Sequence, residues 1–224
     1  AVAQVVRVFD DPDVVHVDGG VDPAADMETI NTELILADMQ TLDKAMTRYE
    51  KEVKGKKLDP SVLAAAEEAR AILDSGKTLF QAAFDASSLS ELGLLTAKPF
   101  LYVFNVDEAT LGDAAKQAAL AALVAPAKAV FLDAKVESEL IDLDKTEAQE
   151  LLASMGQEES GLDQLAHIGF DTLGLQTYLT AGPKETRTWT IRPGWQAPQA
   201  AGVILTDFEK GFLKAEVTSF DGLA

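Results

Sequence analysis

The spacing of hydrophobic residues changes along the first third of the chain. Val2–Val8 is a short apolar run rich in β-branched residues, and the polar turn that follows it begins at Asp10, which predicts a buried strand. Asp22 and Pro23 form a helix-start pattern, and from Met27 the spacing predicts a helix through Val53. The residues that form its apolar stripe, spaced as in a heptad seam, are Ile35, Met39, Leu42, Met46, Tyr49 and Val53.

A second helical stripe follows a polar break at Lys54–Pro60. Apolar residues over Val62–Leu73 again recur at three- and four-residue spacing, which predicts another amphipathic helix. Because the break between the two stripes is short, the two helices are expected to pack antiparallel. The pattern therefore predicts a helical hairpin that projects from the rest of the domain, with the polar break at its tip.

After residue 87 apolar strands alternate with helices. Phe100–Phe104 and Ala129–Leu132 are continuous apolar runs, and the alanine-rich segment Leu111–Val124 between them is typical of a helix. Further helices are expected after Asp144 and Ser160. Strands that are apolar throughout and alternate with helices predict a parallel sheet covered on both faces, so the fold class is α/β with the hairpin inserted into it.

The last fifty residues differ from the rest of the chain in residue pattern and in charge. Thr186–Ile191 and Phe212–Val217 have strand-like composition, and Ala197–Leu205 resembles a short helix, with a capping pattern at Thr206–Glu209. The formal charge also changes here. Residues 1–174 carry 14 basic and 32 acidic side chains, whereas residues 175–224 carry five of each. Both changes predict a domain boundary near residue 174, followed by a small mixed β module.

Composition excludes several classes of function. The chain has no cysteine, which rules out a disulfide scaffold, a thiol nucleophile and a cysteine metal site, and its two histidines make a histidine-rich metal site unexpected. The net charge of −18 argues against general nucleic-acid coating and against DNA as a partner. The longest uncharged apolar run is far shorter than the ~20 residues of a membrane span, so no membrane partner is expected.

Polar residues directly follow the two apolar strands. Ligands of open α/β sheets bind at the carboxyl ends of strands, and GTPases place an Asn-Lys-x-Asp motif there that frames the purine and pairs with guanine. In this chain the corresponding residues are Asn105, Val106 in place of the lysine, and Glu108 in place of the aspartate. Ala134 lies in the loop after the next strand. From residue types alone, an ordinary polar turn after a strand is the favoured interpretation.

Other motifs have ordinary structural explanations beside their functional ones. Ala71–Thr78 nearly matches a phosphate-binding loop, but it follows a helix, so Gly76 is better explained as a helix cap. Trp189 and Trp195 have the residue type that stacks on bases, and they also suit the core of a β module. We expect His16 and His167 to be structural histidines.

Basic residues concentrate in one part of the acidic region. This basic run either contacts RNA phosphates or forms the solvated face of the hairpin. Its members are Lys44, Arg48, Lys51, Lys54, Lys56 and Lys57.

Several longer stretches of the chain together have the residue patterns of one known protein family. They are Phe9-Asp-Asp-Pro-Asp-Val-Val-His16, Val21-Asp-Pro23, Ile30-Asn-Thr-Glu-Leu34, Leu95-Thr-Ala-Lys-Pro99, Asn105-Val-Asp-Glu108, Thr180-Ala-Gly-Pro-Lys-Glu185, Trp189-Thr-Ile191, Ala197-Pro-Gln-Ala-Ala-Gly202 and Thr206-Asp-Phe-Glu-Lys-Gly-Phe212. With these stretches the chain resembles the YchF/Obg-like ATPase family of translation-factor-class P-loop proteins, and the resemblance covers almost the whole chain.

The resemblance implies a domain organisation. Residues 1–26 and 88–174 would form a G-type nucleotide-binding domain, residues 27–87 a coiled-coil insertion, and residues 175–224 a β-grasp TGS domain. It also implies that the phosphate-binding loop, magnesium ligands and switch regions precede residue 1, and that the last TGS strands are missing too. The chain alone is then expected to lack hydrolytic activity, which would belong to the full-length parent.

The resemblance also implies a ligand and partners. The altered Asn-x-x-Glu motif is one that the family uses to accept ATP, often in preference to GTP, with Mg²⁺. Asn105 and Glu108 would contact the base edge, while Val106 would add an apolar wall and the backbone of Ala134 would bond at the base. The ribosome or tRNA would be contacted through the hairpin and the TGS domain in the cytoplasm.

The chain departs from the family at two positions, and two rival functions stay open. Asp133 stands where many members have Ser, and Leu205 stands where a His is usual. One alternative is an RNA- or ribosome-binding regulatory module in which the nucleotide acts only as a switch. The other is a coiled-coil interaction protein without a ligand, which the polar turn after a buried strand disfavours.

Overall fold

The computed structural model of the chain describes residues 1–9, 20–219 and 222. It divides into two compact units, Ala1–Thr172 and Leu173–Ala224. The elements of the first unit are β1 (Val2–Arg7), α1 (Pro23–Lys54), α2 (Pro60–Asp74), a 3-10 helix (Ser87–Leu92), β2 (Phe100–Asn105), α3 (Glu108–Leu111), α4 (Ala114–Val124), β3 (Lys128–Leu132), α5 (Ala134–Leu140), α6 (Lys145–Ser154) and α7 (Gly161–Thr172). None of the described helices is long and apolar enough to cross a membrane.

The three strands of the first unit form a parallel sheet in the order β1-β2-β3. Val103 in β2 pairs with Val5 on one side and with Val130 on the other. Phe100–Phe104 is buried at every position, because β2 is central and both of its faces are covered. The predicted parallel α/β sheet is therefore confirmed.

β1 differs from the expected buried strand. Its burial alternates along the strand, and the side chain of Val5 is 70% exposed. Among the described residues β1 pairs only with β2, so its second edge has no described strand beside it. Residues 10–19, which include His16 and most of the first family stretch, lie outside the described part of the chain.

Helices pack on opposite faces of the sheet. On one face an aromatic row on β2 runs through Phe100, Tyr102 and Phe104, whose neighbouring ring centroids are 6.2 and 6.4 Å apart, and α1 and α4 cover it. On the other face α7 approaches β3 so closely that a Cβ at Gly161 would overlap the Cβ of Leu132. A glycine is therefore required where α7 begins.

α1 and α2 form the predicted helical hairpin. Asp22 caps α1 by accepting hydrogen bonds from the backbone N–H groups of Ala24 and Ala25, at 3.0 and 3.1 Å, with Pro23 as the first helical residue. An ion pair of 2.9 Å between Asp43 and Arg70 links the two helices. The predicted helix start at Asp22 and Pro23 is thus confirmed, and the predicted ends lie within a few residues of the observed ones.

The buried stripe of the hairpin differs in part from the predicted seam. Met39 and Met46 are only partly buried, and the positions one residue before each of them are buried instead. Of the apolar stripe predicted over Val62–Leu73, Ala66, Ala69 and Leu73 are 0 to 1% exposed, whereas Val62 is only partly buried. The buried residues of α1 are Met27, Ile35, Asp38, Leu42, Ala45 and Tyr49.

A buried carboxylate joins the hairpin to the segment before β2. Asp38 is 3% exposed, and it accepts hydrogen bonds from the backbone N–H groups of Leu95 and Thr96, at 2.8 and 2.7 Å, and from the Thr96 hydroxyl at 2.7 Å. Nearer the tip, the Tyr49 hydroxyl donates to Glu91 at 2.7 Å. The bonds of Asp38 attach the base of the hairpin to the segment that leads into β2.

Two connections in the first unit differ from the predictions. The helix expected over Leu111–Val124 is divided, because Asp113 caps a new helix, α4, by accepting from the backbone N–H groups of Ala115 and Lys116. The short helix α5, which directly follows β3, was not predicted. Asp133 caps it by accepting a hydrogen bond of 2.8 Å from the backbone N–H of Lys135.

The second unit contains an antiparallel pair of strands followed by two short helices. Its elements are β4 (Gln176–Ala181), β5 (Thr186–Ile191), α8 (Ala197–Ile204) and α9 (Thr206–Lys210). The sequence did not predict β4, and the strand predicted over Phe212–Val217 is wrong, because residues 212–219 form neither helix nor strand. The predicted cap at Thr206–Glu209 is also wrong, since Leu205 occupies the cap position and makes no side-chain bond. The separate antiparallel sheet fits a TGS-like domain.

Candidate functional site

The candidate site lies where β2 and β3 end at the same edge of the parallel sheet. Asn105 is the last residue of β2, and its carbonyl accepts a hydrogen bond of 2.9 Å from the N–H of Val8 at the end of β1. The N–H of Val106 donates to the carbonyl of Leu132 at 2.9 Å, at the end of β3. The backbone hydrogen bonds of the sheet thus continue past the ends of the strands, and they fix the positions of the loops that follow β1, β2 and β3.

A side-chain hydrogen bond connects the loops after β2 and β3. The Oδ1 atom of Asn105 accepts from the backbone N–H of Ala134 at 3.2 Å. The structure therefore brings together two residues that the sequence named separately, 29 positions apart. The Nδ2 atom of Asn105 has no acceptor among the described residues.

Val106 lies in the core of the sheet domain. Its side chain is 1% exposed and belongs to the same hydrophobic cluster as Phe104 and Leu111. Val106 therefore does not form the expected apolar wall beside a ligand, because its side chain is buried in the core. Val106 instead packs beneath the turn and supports the residues on either side of it.

α3 begins at Glu108, and Asp107 caps it. Asp107 accepts a hydrogen bond of 2.9 Å from the backbone N–H of Thr110, and bonding to the side chain and backbone of Thr110, together with the charge of Lys116, lowers the pKa of the Asp107 carboxyl. Glu108 is exposed, and its side chain makes no hydrogen bond or ion pair with a described residue. The cap thus directs the chain so that Glu108 lies in solvent at the edge of the sheet.

Sequence reasoning missed the structural role of two aspartates at this edge. Asp107 and Asp133 each follow a strand and cap the next helix, and so they position Glu108 and Ala134. An aspartate before a helical segment is a common N-cap, so the residue types were consistent with this role. The caps were missed because α3 and α5 are too short to produce a clear helical pattern in the sequence.

The described residues do not include a metal site. Nowhere in residues 1–9, 20–219 and 222 do three or more His, Cys, Asp or Glu side chains cluster in a way that could hold a metal ion. The implied Mg²⁺ therefore does not fit the described residues, and no step is assigned to it.

The segment that resembles a phosphate-binding loop is the end of a helix. α2 extends to Asp74, and Gly76 adopts a left-handed conformation with φ of +80° just after it. Thr78 is 2% exposed, and its N–H donates to the side chain of Gln81 at 3.2 Å. Because a phosphate loop precedes its helix, Ala71–Thr78 has the wrong geometry for that role.

The remaining candidates lie on the surface. Lys54, Lys56 and Lys57 are exposed at the connection between α1 and α2. The side chain of His167 is 74% exposed and lies 3.2 Å from Glu159, so the expectation of a structural histidine is wrong for this residue.

The two tryptophans belong to the second unit. Trp189 is half-buried and its Nε1 donates to the Thr180 hydroxyl at 2.9 Å, while Arg187 lies over its ring at 4.5 Å from the centroid. Trp195 is 41% exposed. Trp189 is thus fixed within the β module by its contacts, whereas Trp195 is exposed enough for a ligand to contact it.

Comparison with known proteins identifies relatives of the whole chain. Residues 175–224 match the family model YchF-GTPase_C, described as a protein of unknown function (DUF933). A protein of Bacillus subtilis (strain 168) named ribosome-binding ATPase YchF is 41% identical over 235 residues, which cover 100% of the chain and 63% of the relative. The protein of the same name from Escherichia coli O157:H7 is 40% identical over 227 residues, which cover 99% of the chain and 62% of the relative.

A solved structure has the same architecture. The structure of the Schizosaccharomyces pombe YchF GTPase superposes with a TM-score of 0.81 at 31% identity, and the match covers 95% of the chain and 60% of that protein. The chain spans a little over three-fifths of the length of the curated relatives it matches. Homology along the whole chain, the match of the last fifty residues and the shared fold agree, and the chain is therefore a homologue of the YchF proteins over its full length.

Proposed function

We propose that this chain is the base-recognising and ribosome-contacting part of a YchF-family ATPase. The observation that carries the proposal is the hydrogen bond between Asn105 and the backbone of Ala134, which joins two loops at the carboxyl edge of a parallel sheet. Such edges are where open α/β sheets bind their ligands. The relatives' common name, ribosome-binding ATPase, supports the same assignment.

The proposed ligand of this edge is the base of ATP. Every purine presents an acceptor at N7, and the Nδ2 group of Asn105 is a donor without a described acceptor. Glu108 carries its carboxylate one methylene further than an aspartate, which displaces a two-point contact to the N1–H and 2-amino group of guanine. Adenine has neither donor and loses nothing, so ATP is preferred over GTP. The burial of Val106 assigns it the supporting role beneath the turn.

The phosphates and Mg²⁺ would be held elsewhere in the protein. Phosphoryl transfer requires a lysine and a metal ion that offset charge on the β- and γ-oxygens. The described residues hold no metal cluster, and the phosphate-loop-like segment is a helix end. We therefore propose that residues 1–224 bind the base and show no appreciable hydrolysis of ATP or GTP by themselves.

Contact with the ribosome or with tRNA is proposed for the hairpin tip and the second unit. Three exposed lysines lie at the tip within a chain of net charge −18, which makes the tip a local site for RNA phosphates. In the second unit Trp195 is exposed and can stack on a base. A ribosome-contacting protein of this kind acts in the cytoplasm.

The base assignment is tested with two substitutions of one residue. Asn105→Asp keeps an oxygen that accepts from the N–H of Ala134 but removes the donor to the base, whereas Asn105→Ala removes both. ATP is titrated into the 224-residue chain, and the NMR signals of the Asn105 side chain and the Ala134 amide are followed. In the unmodified chain both signals are expected to shift on titration.

The two variants separate base contact from loop geometry. With Asn105→Asp the Ala134 signal should keep its position in the free chain, and its response to ATP should weaken by about tenfold in affinity, the effect of losing about 1.4 kcal/mol. With Asn105→Ala the Ala134 signal should already move in the free chain. If ATP shifts other signals while these two stay fixed, the edge is not the base site and the assignment is wrong.

A further inference from the structure

A groove separate from the sheet edge lies between α1 and two other helices of the first unit. It has a volume of about 530 Å³, within the range of ligand-binding pockets. α1 forms one wall, the end of α2 with Gly76 and Gln81 contributes to the lining, and Tyr102 of β2 and the last residues of α4 complete it. None of Asn105, Val106, Glu108 and Ala134 lines it, so it is a different site from the proposed base site.

The groove is elongated along α1. The lining residues of α1 recur at three- and four-residue spacing from Ala24 to Met39, and they form one stripe along that helix. At about 1.5 Å of rise per residue the stripe extends about 22 Å, the length of roughly four helical turns. A small compact ligand would occupy a fraction of this length, whereas an extended or helical segment would occupy all of it.

The groove has an apolar floor and an apolar rim. Met27, Ile35 and Val124 are 3 to 7% exposed and form part of the floor. Leu36 on α1 and Leu123 on α4 line the groove although they are 51% and 57% exposed. Large apolar side chains that line a groove and remain in water are typical of an interaction surface.

The ionisable lining of the groove is acidic. Among the described lining residues, Glu28 and Asp74 are the only charged side chains, and Asp74 also pairs with Arg70 at 3.2 Å. The stretch of α1 from Pro23 to Asp43 carries five acidic residues and no lysine or arginine. A partner with basic side chains would therefore complement the charge of this groove.

We propose that this groove binds an amphipathic helix of a partner protein that bears lysine or arginine beside its apolar face. The apolar residues of that helix would pack on the floor between Leu36 and Leu123, and its basic residues would lie near Glu28, as in other helix-in-groove complexes. A second copy of the chain is a poor occupant, because two chains of net charge −18 repel each other.

The test uses synthetic helical peptides and the complete 224-residue chain. One fluorescent peptide of about four turns carries leucines at helical spacing flanked by lysines, and a control peptide carries glutamates in place of the lysines. Binding is measured by fluorescence anisotropy. The variants are Leu36→Arg and Leu123→Arg, and the matched control is Ile30→Arg, which changes another exposed residue of α1 that does not line the groove.

The expected result is saturable binding of the lysine peptide at one site. Leu36→Arg and Leu123→Arg should each weaken it by about tenfold or more, the control Ile30→Arg by less than about threefold, and the glutamate peptide should bind at least about tenfold more weakly. Equal losses in Ile30→Arg and Leu36→Arg would mean general charge attraction and would overturn the proposal. So would equal binding of both peptides, absence of saturable binding, or dimers of the chain in sedimentation that the groove variants abolish.

Discussion

The two ends of the helical hairpin differ in chemistry although both are built on α1. At the base, Asp38 is 3% exposed and satisfies three donors of the segment before β2. At the tip, Lys54, Lys56 and Lys57 are exposed beside Gly55, which ends the helix. A buried, hydrogen-bonded charge fixes structure, whereas exposed charges contribute little to stability and are available for contact. One helix therefore carries both the buried attachment of the hairpin and its exposed basic tip.

The largest loss of stability is expected for a substitution in the buried stripe between the base and the tip of the hairpin. Leu42 is 0% exposed within the core of the hairpin, so Leu42→Asp removes packing and buries an unpaired charge. We expect a loss of about 4 kcal/mol or more in the free energy of unfolding, since truncating a buried leucine already costs about 2–5 kcal/mol. Urea unfolding followed by circular dichroism measures it. The neighbouring exposed Gln40→Asp is the control, and an equal loss there would show that added negative charge alone destabilises the arm.

A smaller but clear loss is expected at the base. Asp38→Asn keeps one acceptor oxygen but places an NH₂ group against the donors of Leu95 and Thr96. We expect the free energy of unfolding to fall by about 2–3 kcal/mol, the cost of leaving buried donors unsatisfied. Asp43→Asn, which affects an ion pair whose carboxylate is 60% exposed, should cost less than about 1 kcal/mol. If the two substitutions were equivalent, Asp38 would not be the attachment point.

The cap at the sheet edge should give an intermediate effect. Asp107→Ala removes the cap of α3, which costs about 1 kcal/mol, whereas Asp107→Asn should cost little. The pKa of Asp107 is lowered by its bonds to Thr110, so its stabilisation is complete above the usual carboxyl range and is lost as the pH falls through the lowered pKa. The difference between wild type and Asp107→Ala in urea unfolding should therefore be largest near neutral pH and narrow in acid. A difference that does not change with pH would mean that the carboxylate charge is not involved.

The smallest effect on stability is expected at the tip. Changing Lys54, Lys56 and Lys57 together to Glu should alter the unfolding free energy by less than about 1 kcal/mol, because the residues are exposed. If the tip contacts RNA, the same change should weaken binding to ribosomes or tRNA and flatten the dependence of binding on salt. Cosedimentation with ribosomes at several salt concentrations measures both. Unchanged binding with the same salt slope would leave these lysines as a solvated helix end.

The difference between the periodic apolar face of the hairpin and the single long-range contact of Asp38 explains what the sequence predicted and what it did not. The apolar spacing predicted the hairpin because local periodicity determines which face of a helix is buried. It did not predict Asp38, since a single acidic residue on a charged helix resembles a surface position until the segment at Leu95 and Thr96 is placed against it. A contact between residues more than fifty positions apart leaves no local pattern.

The candidate site was predictable in part for a related reason. Asn105 and Ala134 were identified because both follow apolar strands, and parallel strands end at the same edge. Their mutual hydrogen bond and the burial of Val106 depend on how the loops turn, which residue types do not specify. β4 was missed because Gln176–Ala181 is largely exposed and its strand character comes from pairing with β5.

The attachment of the hairpin at Asp38 connects its tip to the strand that ends at the candidate site. Asp38 and Lys54 are separated by about 24 Å along the helix axis at about 1.5 Å per residue. Thr96, which donates to Asp38, lies only four residues before the first residue of β2, the strand that ends at Asn105. A contact at the tip lysines and a ligand at Asn105 are therefore joined through one helix, one buried carboxylate and one strand.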